Sequence, residues 1–459
     1  MMMNRNEAFA QIRKESLDIY NRLKSVEEDI MFVDEVHASY PHFPLLPNLR
    51  CGAWYTDPSL VSSHPAYFKS TDGHCQNWSF NLRRPNLHLL NENYAGLVLV
   101  DSTRSGKRMP DALSKTVPIW CAVVNRALLL RHPQTPREDW DISLHTPPGT
   151  VSSQEHSQIV PLLDEWAKAL NESSYVLPNL TLPLRPIWIT PSSSSFPKFS
   201  ANKRIFLPII CVSASQQVKE GFDRRTGGFV YIQGSGDDHE LWGMGLTPDI
   251  FWRNRERLLS ADRSDLETVV ASCVAASSQQ ENVARCPSAI GRVRGRLMVC
   301  STSELIVDPQ GKLSVMAKEG LDDVALLVIS CKEECSKECD LHIATLAGKK
   351  GQVHFLQVVL PRSMSFIRKH LCMGMRVCIG CDTGKDMSVG VAIAALQRFF
   401  DDEGNFAETD SDIMADKQSI RMRLEWIISE RPEANPSRNT LKRVNEFLLT
   451  PNSFLHTTK

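Results

Sequence analysis

The sequence predicts an α/β protein of two domains: a mixed α+β domain over residues 1–290 and a C-terminal α/β domain over residues 291–459. Three observations predict it. The chain has 459 residues, beyond the size at which one hydrophobic core keeps growing. Short apolar runs of strand length alternate with stretches of helical periodicity. The polar stretch Ser277 to Arg285 reads as a linker. Before it strands and helices intermingle, and after it strands come first and helices last.

From Asn4 to Val33, the residues Phe9, Ile12, Leu17, Tyr20, Leu23, Val26 and Ile30 recur at near-helical spacing and predict an amphipathic helix. Pro41, Pro44 and Pro47 exclude its continuation. Gly96 to Val100 has the pattern of a buried strand that delivers Asp101, Ser102 and Thr103 at its C-terminal end. A helix is expected from Ser114 toward Leu130. Another starts at Ser152, where Ser152 and Glu155 match a capping box ahead of Ile159, Leu162, Leu163 and Trp166. Ile187 to Thr190, Ile205 to Ser213 and Phe229 to Gln233 read as strands, with Ser192 to Ser195 as a surface loop. Past the linker, strands are expected at Leu297 to Cys300, Ala325 to Ser330, Val353 to Leu360 and Arg376 to Gly380, followed by three helical segments.

With 42% apolar and 23% charged residues the chain is neither fibrous nor largely disordered. No apolar run reaches the length of a membrane span and the first residues lack a secretory core, so a cytoplasmic protein without membrane attachment is expected. Thirteen cysteines form no regular framework, and Cys121, Cys211 and Cys300 sit in apolar stretches as buried thiols. Cys331, Cys335 and Cys339 offer three ligands where structural zinc takes four. The net charge of −1 removes the global basic signature of many nucleic-acid binders, so a polyanion must be held by local clusters. These are Arg83-Arg84, Arg104 with Lys107-Arg108, Arg224-Arg225, the set Arg253, Arg255 and Arg257, and the set Arg292, Arg294 and Arg296. The last would form a basic stripe on one face if extended.

The sharpest local signal runs from Met375 through Cys381-Asp382-Thr383-Gly384-Lys385-Asp386-Met387-Ser388 into the apolar run Val389 to Leu396. A strand entering a tight loop and then a helix lets loop amides and first-turn amides converge on one anion. This segment resembles the signature loop of dual-specificity protein phosphatases, in which a Cys is followed by five residues, an Arg and a Ser or Thr. Cys381 and Ser388 match, but Met387 stands at the Arg position and cannot clamp a transferring phosphoryl group. The expectation is a loop that binds phosphate without hydrolysing its esters.

Three further segments concentrate acidic, basic and hydroxyl side chains: Phe68 to His74, Val100 to Thr116 and Gly227 to Trp242. Their Ser-Thr-Asp-Gly-His (70–74), Asp-Ser-Thr-Arg-Ser-Gly-Lys-Arg-Met-Pro-Asp-Ala-Leu-Ser-Lys-Thr (101–116) and Gly-Asp-Asp-His-Glu (236–240) runs resemble the initiator tRNA 2′-O-ribosyl phosphate transferase family of fungi and plants. The likeness extends through the altered phosphatase loop to Ala434-Asn435-Pro436-Ser437-Arg438.

That resemblance implies phosphoribosyl pyrophosphate as donor and the 2′-hydroxyl of adenosine 64 of initiator tRNA as acceptor, with the added group marking the tRNA as an initiator. Such chemistry sets three requirements. The leaving pyrophosphate needs cations and normally Mg²⁺, for which Arg104, Lys107, Arg108 and Lys115, beside the hydroxyls of Ser102 and Thr103, are the candidates. The 5-phosphate needs an anchor, assigned to the Cys381 to Ser388 loop. The attacking hydroxyl needs a base, with Asp101, Asp111, Asp72 and Asp386 unranked. Asp237 and Asp238, in the run Asp237 to Glu240, are metal ligands or part of a hydrogen-bonded structural turn, and Arg83, Arg84, Arg224 and Arg225 are candidate contacts to the tRNA in a groove between domains. His74 and His239 are catalytic or structural. The rival readings are an active cysteine phosphatase and a non-catalytic binder of tRNA or phosphate.

Overall fold

Four short apolar runs form one all-parallel sheet: β1 Leu45–Pro47, β2 Leu97–Asp101, β3 Leu184–Ile189 and β4 Leu207–Ser213, in the spatial order β1-β2-β4-β3. In the computed structural model of the chain, the described residues are 13–48, 51–61, 66–90, 95–104, 106–131, 139–199, 204–219, 222–277, 286–307, 312–315, 323–331, 339–346, 348–407 and 415–449. They fall into two compact units, residues 1–172 with 177–280, and residues 173–176 with 281–459.

β2 is buried along its whole length, as a continuous Leu/Val run between two covered faces should be. Its register beside β4 puts Asp101 level with Ser213. Parallel strands end on one edge, so Asn48 after β1, Asp101 to Thr103 after β2, and Ser213 to Ser215 after β4 gather there, where open α/β sheets bind ligands.

Helix α1, Ile19–Ser39, packs Leu23, Val26, Ile30 and Val33 against Val98, Val100, Ile210 and Val212 of the sheet. The predicted helix from Asn4 is interrupted at Asp18, whose carboxylate accepts from the amide of Asn21 and caps α1; residues 4–12 lie outside the described residues. α2, Val117–Arg131, follows a turn of wider π pitch at Ala112–Thr116. Together they form a stretch long and apolar enough to cross a membrane, with mean hydropathy 1.2, but 83% of it is buried in the protein, as in a core helix. α3, Ser153–Ile159, begins with the Ser152 hydroxyl accepting from the Glu155 amide at 3.1 Å. The reciprocal half of the expected capping box is missing, because the Glu155 carboxylate is taken up by Lys115 and Trp78. α4, Leu163–Asn171, continues that layer. The expected strand around Phe229 is one arm of a hairpin, β5 Phe222–Arg224 with β6 Val230–Ile232, and α5 Pro248–Arg253, α6 Arg255–Leu259 and α7 Leu266–Ser277 complete the unit.

The second unit holds a five-stranded sheet. Its strands are β7 Ser288–Ala289, β8 Leu297–Ser301, β11 Val324–Ser330, β12 Leu341–Ala344 and β13 Arg376–Cys381, ordered β12-β11-β13-β8-β7, with a small hairpin of β9 Ile306–Val307 and β10 Leu313–Ser314 beside it. β7 already pairs with β8, which puts the start of this sheet ahead of residue 290.

Val353 to Leu360 is helical, contrary to the strand expected there. It runs through α8 Gly348–His354 and a π turn Phe355–Val359 into α9 Leu360–Cys372. The buried set Phe355, Val359, Met364, Ile367 and Leu371 follows helical spacing, which an eight-residue apolar window cannot reveal. Arg292, Arg294 and Arg296 form no extended stripe, since Gly291–Val293 is a 3₁₀ turn and Arg294 has φ +55°. Three helices end the unit as expected: α10 Met387–Phe399, α11 Lys417–Glu430 and α12 Arg438–Leu449. Cys335 lies outside the described residues.

Candidate functional site

Asp101 closes β2 and is only 2% exposed. Its Oδ2 accepts from Asn48 Nδ2 at 2.7 Å, and its Oδ1 accepts from the Ser102 amide at 2.8 Å and from Cys51 Sγ at 2.9 Å. Burial pushes the carboxyl up to about 6, against the downward pull of these three hydrogen bonds. A carboxylate so tuned is ionised at neutral pH and still basic enough to take a proton. It lines a cavity of about 310 Å³ together with Asn48, Tyr67, Phe68, Lys69, Ser70, Thr71, His74 and Arg84.

The three polar segments meet around Asp101 because glycines allow their backbones to touch. A Cβ on Gly73 would fall 2.8 Å from the Asp111 carbonyl and from Thr116 Oγ1, so the first segment rests directly on the second. Gly234 has φ +70° and a Cβ there would lie 2.5 Å from the Thr103 carbonyl, which ties the third segment to the second. Behind Asp101, the Ser102 and Ser215 hydroxyls are 2.6 Å apart. Ser215 and Tyr231 donate to the two oxygens of Asp29 at 2.5 and 2.7 Å, and Tyr55 accepts from the Gly236 amide at 2.7 Å. Burial holds Asp29 well above the usual carboxylate range. None of Asn48, Cys51, Asp29 or Ser215 was singled out from sequence. The available signal was Asp29, a carboxylate on the buried face of α1 between Val26 and Ile30.

The other candidate bases have different partners. Asp111 accepts from Lys107 at 3.0 Å and lies 3.1 Å from Lys115 and 3.6 Å from His74 Nε2. Burial alone would raise it, but the hydrogen bonds and charges of the two lysines hold it below its ordinary value, making it a weak base. Asp72 holds Arg84 at 2.9 Å. Asp386, in the second unit, accepts from the Ser437 amide at 2.8 Å.

Among the cations, Lys115 is buried between Asp111 and Glu155, at 3.1 Å from each. Lys107 and Arg108 are exposed on the loop after β2, while Ser102 and Thr103 are buried. Asp237 and Asp238 are engaged by a cation in this structure. Arg104 reaches both, lying 3.2 Å from Asp237, and no cluster of three or more His, Cys, Asp or Glu side chains able to hold a metal occurs among the described residues. Arg225 is bidentate to Glu28 at 3.0 and 2.6 Å and stacks over Tyr231. Arg224 is exposed on β5, Arg83 and Arg84 are half-buried, and His239 packs edge-on against Trp54.

In the second unit, Cys381 ends β13 with its Sγ 3.1 Å from Ser388 Oγ. Gly384, at φ +65°, could not carry a Cβ without approaching the Ser301 amide to 2.6 Å. The loop carbonyls are drawn outward. Arg431 Nε donates to Gly384 O at 2.8 Å while its guanidinium is held by Glu304, and the Asn435 amide donates to Lys385 O at 2.9 Å. Among the described residues the amides of Asp386, Met387 and Ser388 have no acceptor, the usual state of a helix start able to receive an anion. Met387, half-buried, supplies no charge.

Two family models match the chain: the Rit1 N-terminal domain over residues 12–275 and the Rit1 DUSP-like domain over residues 340–448. The tRNA A64-2'-O-ribosylphosphate transferase of Saccharomyces cerevisiae is 34% identical in an alignment of 495 positions, gaps included, that covers 95% of this chain and 93% of the yeast protein. A Schizosaccharomyces pombe protein is 43% identical over 271 residues, 58% of each chain. Among solved structures, human DUSP28 aligns with a TM-score of 0.24 and 17% identity over 34% of this chain and 93% of its own.

Proposed function

This chain belongs to the Rit1 family, and from that membership we propose that it transfers a ribosyl phosphate from phosphoribosyl pyrophosphate to the 2′-hydroxyl of adenosine 64 of initiator tRNA. The observation that supports a reaction centre in the first unit is Asp101, a buried carboxyl near 6 on the floor of a cavity where two of the three polar segments meet.

In the reaction the ribose oxygen bonds to the anomeric carbon of the donor as the bond from that carbon to pyrophosphate breaks. The electron pair leaves with pyrophosphate, and the hydroxyl proton passes to Asp101. Arg108, exposed, and Lys107, exposed but paired with Asp111, are the cations on the loop after β2 that meet the leaving group. No group of three or more ligating side chains occurs among the described residues, and Mg²⁺ bound with the donor would be held by its phosphate oxygens and would neutralise the leaving pyrophosphate; no step is assigned to it. Ribosylation on the minor-groove side of a stem fits recognition of duplex RNA through its phosphates and 2′-hydroxyls, and the enzyme works where cytoplasmic initiator tRNA is made ready for translation.

The cradle at Cys381 to Ser388 holds a substrate phosphate without hydrolysing it, since Met387 replaces the arginine that an ester-cleaving loop requires. The test is incubation of the full chain with labelled donor and initiator tRNA. Label appears in the T-stem, and Asp101→Ala lowers the rate by about 10²-fold or more, the usual loss for a general base, whereas Asp111→Asn keeps most of it. Unlabelled tRNA with wild type defeats the reading.

A further inference from the structure

Lys69, Ser70 and Thr71 stand at the mouth of the cavity whose floor is Asn48 and Asp101, and Arg84 closes one side. The mouth is cationic. Arg83 and Arg84 act on Lys69 against the one carboxylate of Asp72, and Asp72 is already bonded to Arg84 at 2.9 Å. Lys69 Nζ has no hydrogen-bond or ion-pair partner among the described residues. Burial and these like charges lower its affinity for its own proton, a cost that an anion at the mouth would relieve. The volume of about 310 Å³ lies at the small end of ligand sites, on the scale of a sugar phosphate and not of an RNA stem.

We propose that this cavity is the subsite for the phosphorylated pentose of the donor, with its 5-phosphate at Lys69, Ser70, Thr71 and Arg84 and its ring over Asn48 and Asp101. The assignment deepens the transferase reading and rests on it for the identity of the sugar. It also separates the anion at the mouth from the carboxylate on the floor by the length of the pentose, so the two negative groups need not meet. The Cys381 cradle is then left for a phosphate of the tRNA.

The test is calorimetric titration of the full chain with ribose 5-phosphate, for wild type, Lys69→Gln, Lys69→Arg and Lys385→Gln. Loss of one charge-assisted contact should weaken binding by about tenfold in Lys69→Gln, with Lys69→Arg and Lys385→Gln close to wild type. In turnover, Lys69→Gln should raise the KM for donor and leave the KM for tRNA within about twofold. Unfolding midpoints near that of wild type show that Lys69→Gln folds. Ribose 5-phosphate that fails to bind wild type, or whose binding depends on Lys385 and not on Lys69, overturns the assignment. A chain that binds ribose 5-phosphate through Lys69 but modifies no tRNA keeps the subsite and sinks the transferase reading. Transfer with an unchanged donor KM in Lys69→Gln does the reverse.

Discussion

Cys51 gives its thiol hydrogen to Asp101 across 2.9 Å. The thiol remains a donor because burial, with the charge of Asp101 added to it, holds Cys51 well above its usual range. The same bond pulls Asp101 down, against a burial that pushes it up to about 6. One residue thus helps set the acidity of the proposed base.

The pH profile follows from that pair. As the base must be ionised, kcat/KM should rise with pH through about 6 and level off above it. Cys51→Ala removes a bond to the ionised form, so the acid limb should move to higher pH, and Cys51→Ser should bring it back. A limb that stays in place in Cys51→Ala would mean that another group titrates.

Gly234→Ala tests the contact between the third segment and the second. Gly234 and Gly228 both have positive φ, at +70° and +79°, but only Gly234 has a neighbour, the Thr103 carbonyl, where a Cβ would go. Gly228→Ala should cost about 1 kcal/mol and Gly234→Ala at least about 2 kcal/mol more, read from urea unfolding. Equal losses would show that the close approach has no weight.

Lys115→Met should act on stability and leave donor binding alone. It removes the buried cation shared by Asp111 and Glu155, and breaking such a pair costs about 3 kcal/mol. Asp111 is held below its ordinary value, so its contribution exists above the unfolded carboxylate pKa and is lost as pH falls through the folded one. The gap between wild type and Lys115→Met should therefore be full at pH 7 and shrink below about pH 4. A donor KM raised tenfold without a change in unfolding would return Lys115 to the donor site.

Hydrolysis of an aryl phosphate should stay at background in wild type, and Cys381→Ser should leave transfer within about threefold, because Met387 supplies no charge to a phosphoryl transition state. Turnover that disappears in Cys381→Ser would make this an active phosphatase.

How far the sequence could be read depended on whether the deciding force was local. The β2 run and the Cys381 loop were legible, since a strand pattern followed by turn residues and an apolar helix is written in consecutive residues. Val353 to Leu360 was misread because its helical face becomes evident only with Met364, Ile367 and Leu371 further on. At the site, Asp101 could be named but not chosen over Asp111. The two differ in their partners, Asn48 and Cys51 at Asp101 and two lysines at Asp111, whose positions depend on strand order and on the packing of Gly73. The ion pairs of Arg104 with Asp237 and Asp238 join residues more than a hundred positions apart, which no local pattern reveals.

The proposed reaction is tested most directly by mass analysis of nuclease fragments of initiator tRNA after incubation with the full chain and phosphoribosyl pyrophosphate. The T-stem fragment carrying adenosine 64 should gain one ribosyl phosphate with wild type and none with Asp101→Ala. A gain that persists undiminished in Asp101→Ala, or a fragment unchanged by wild type, would contradict it.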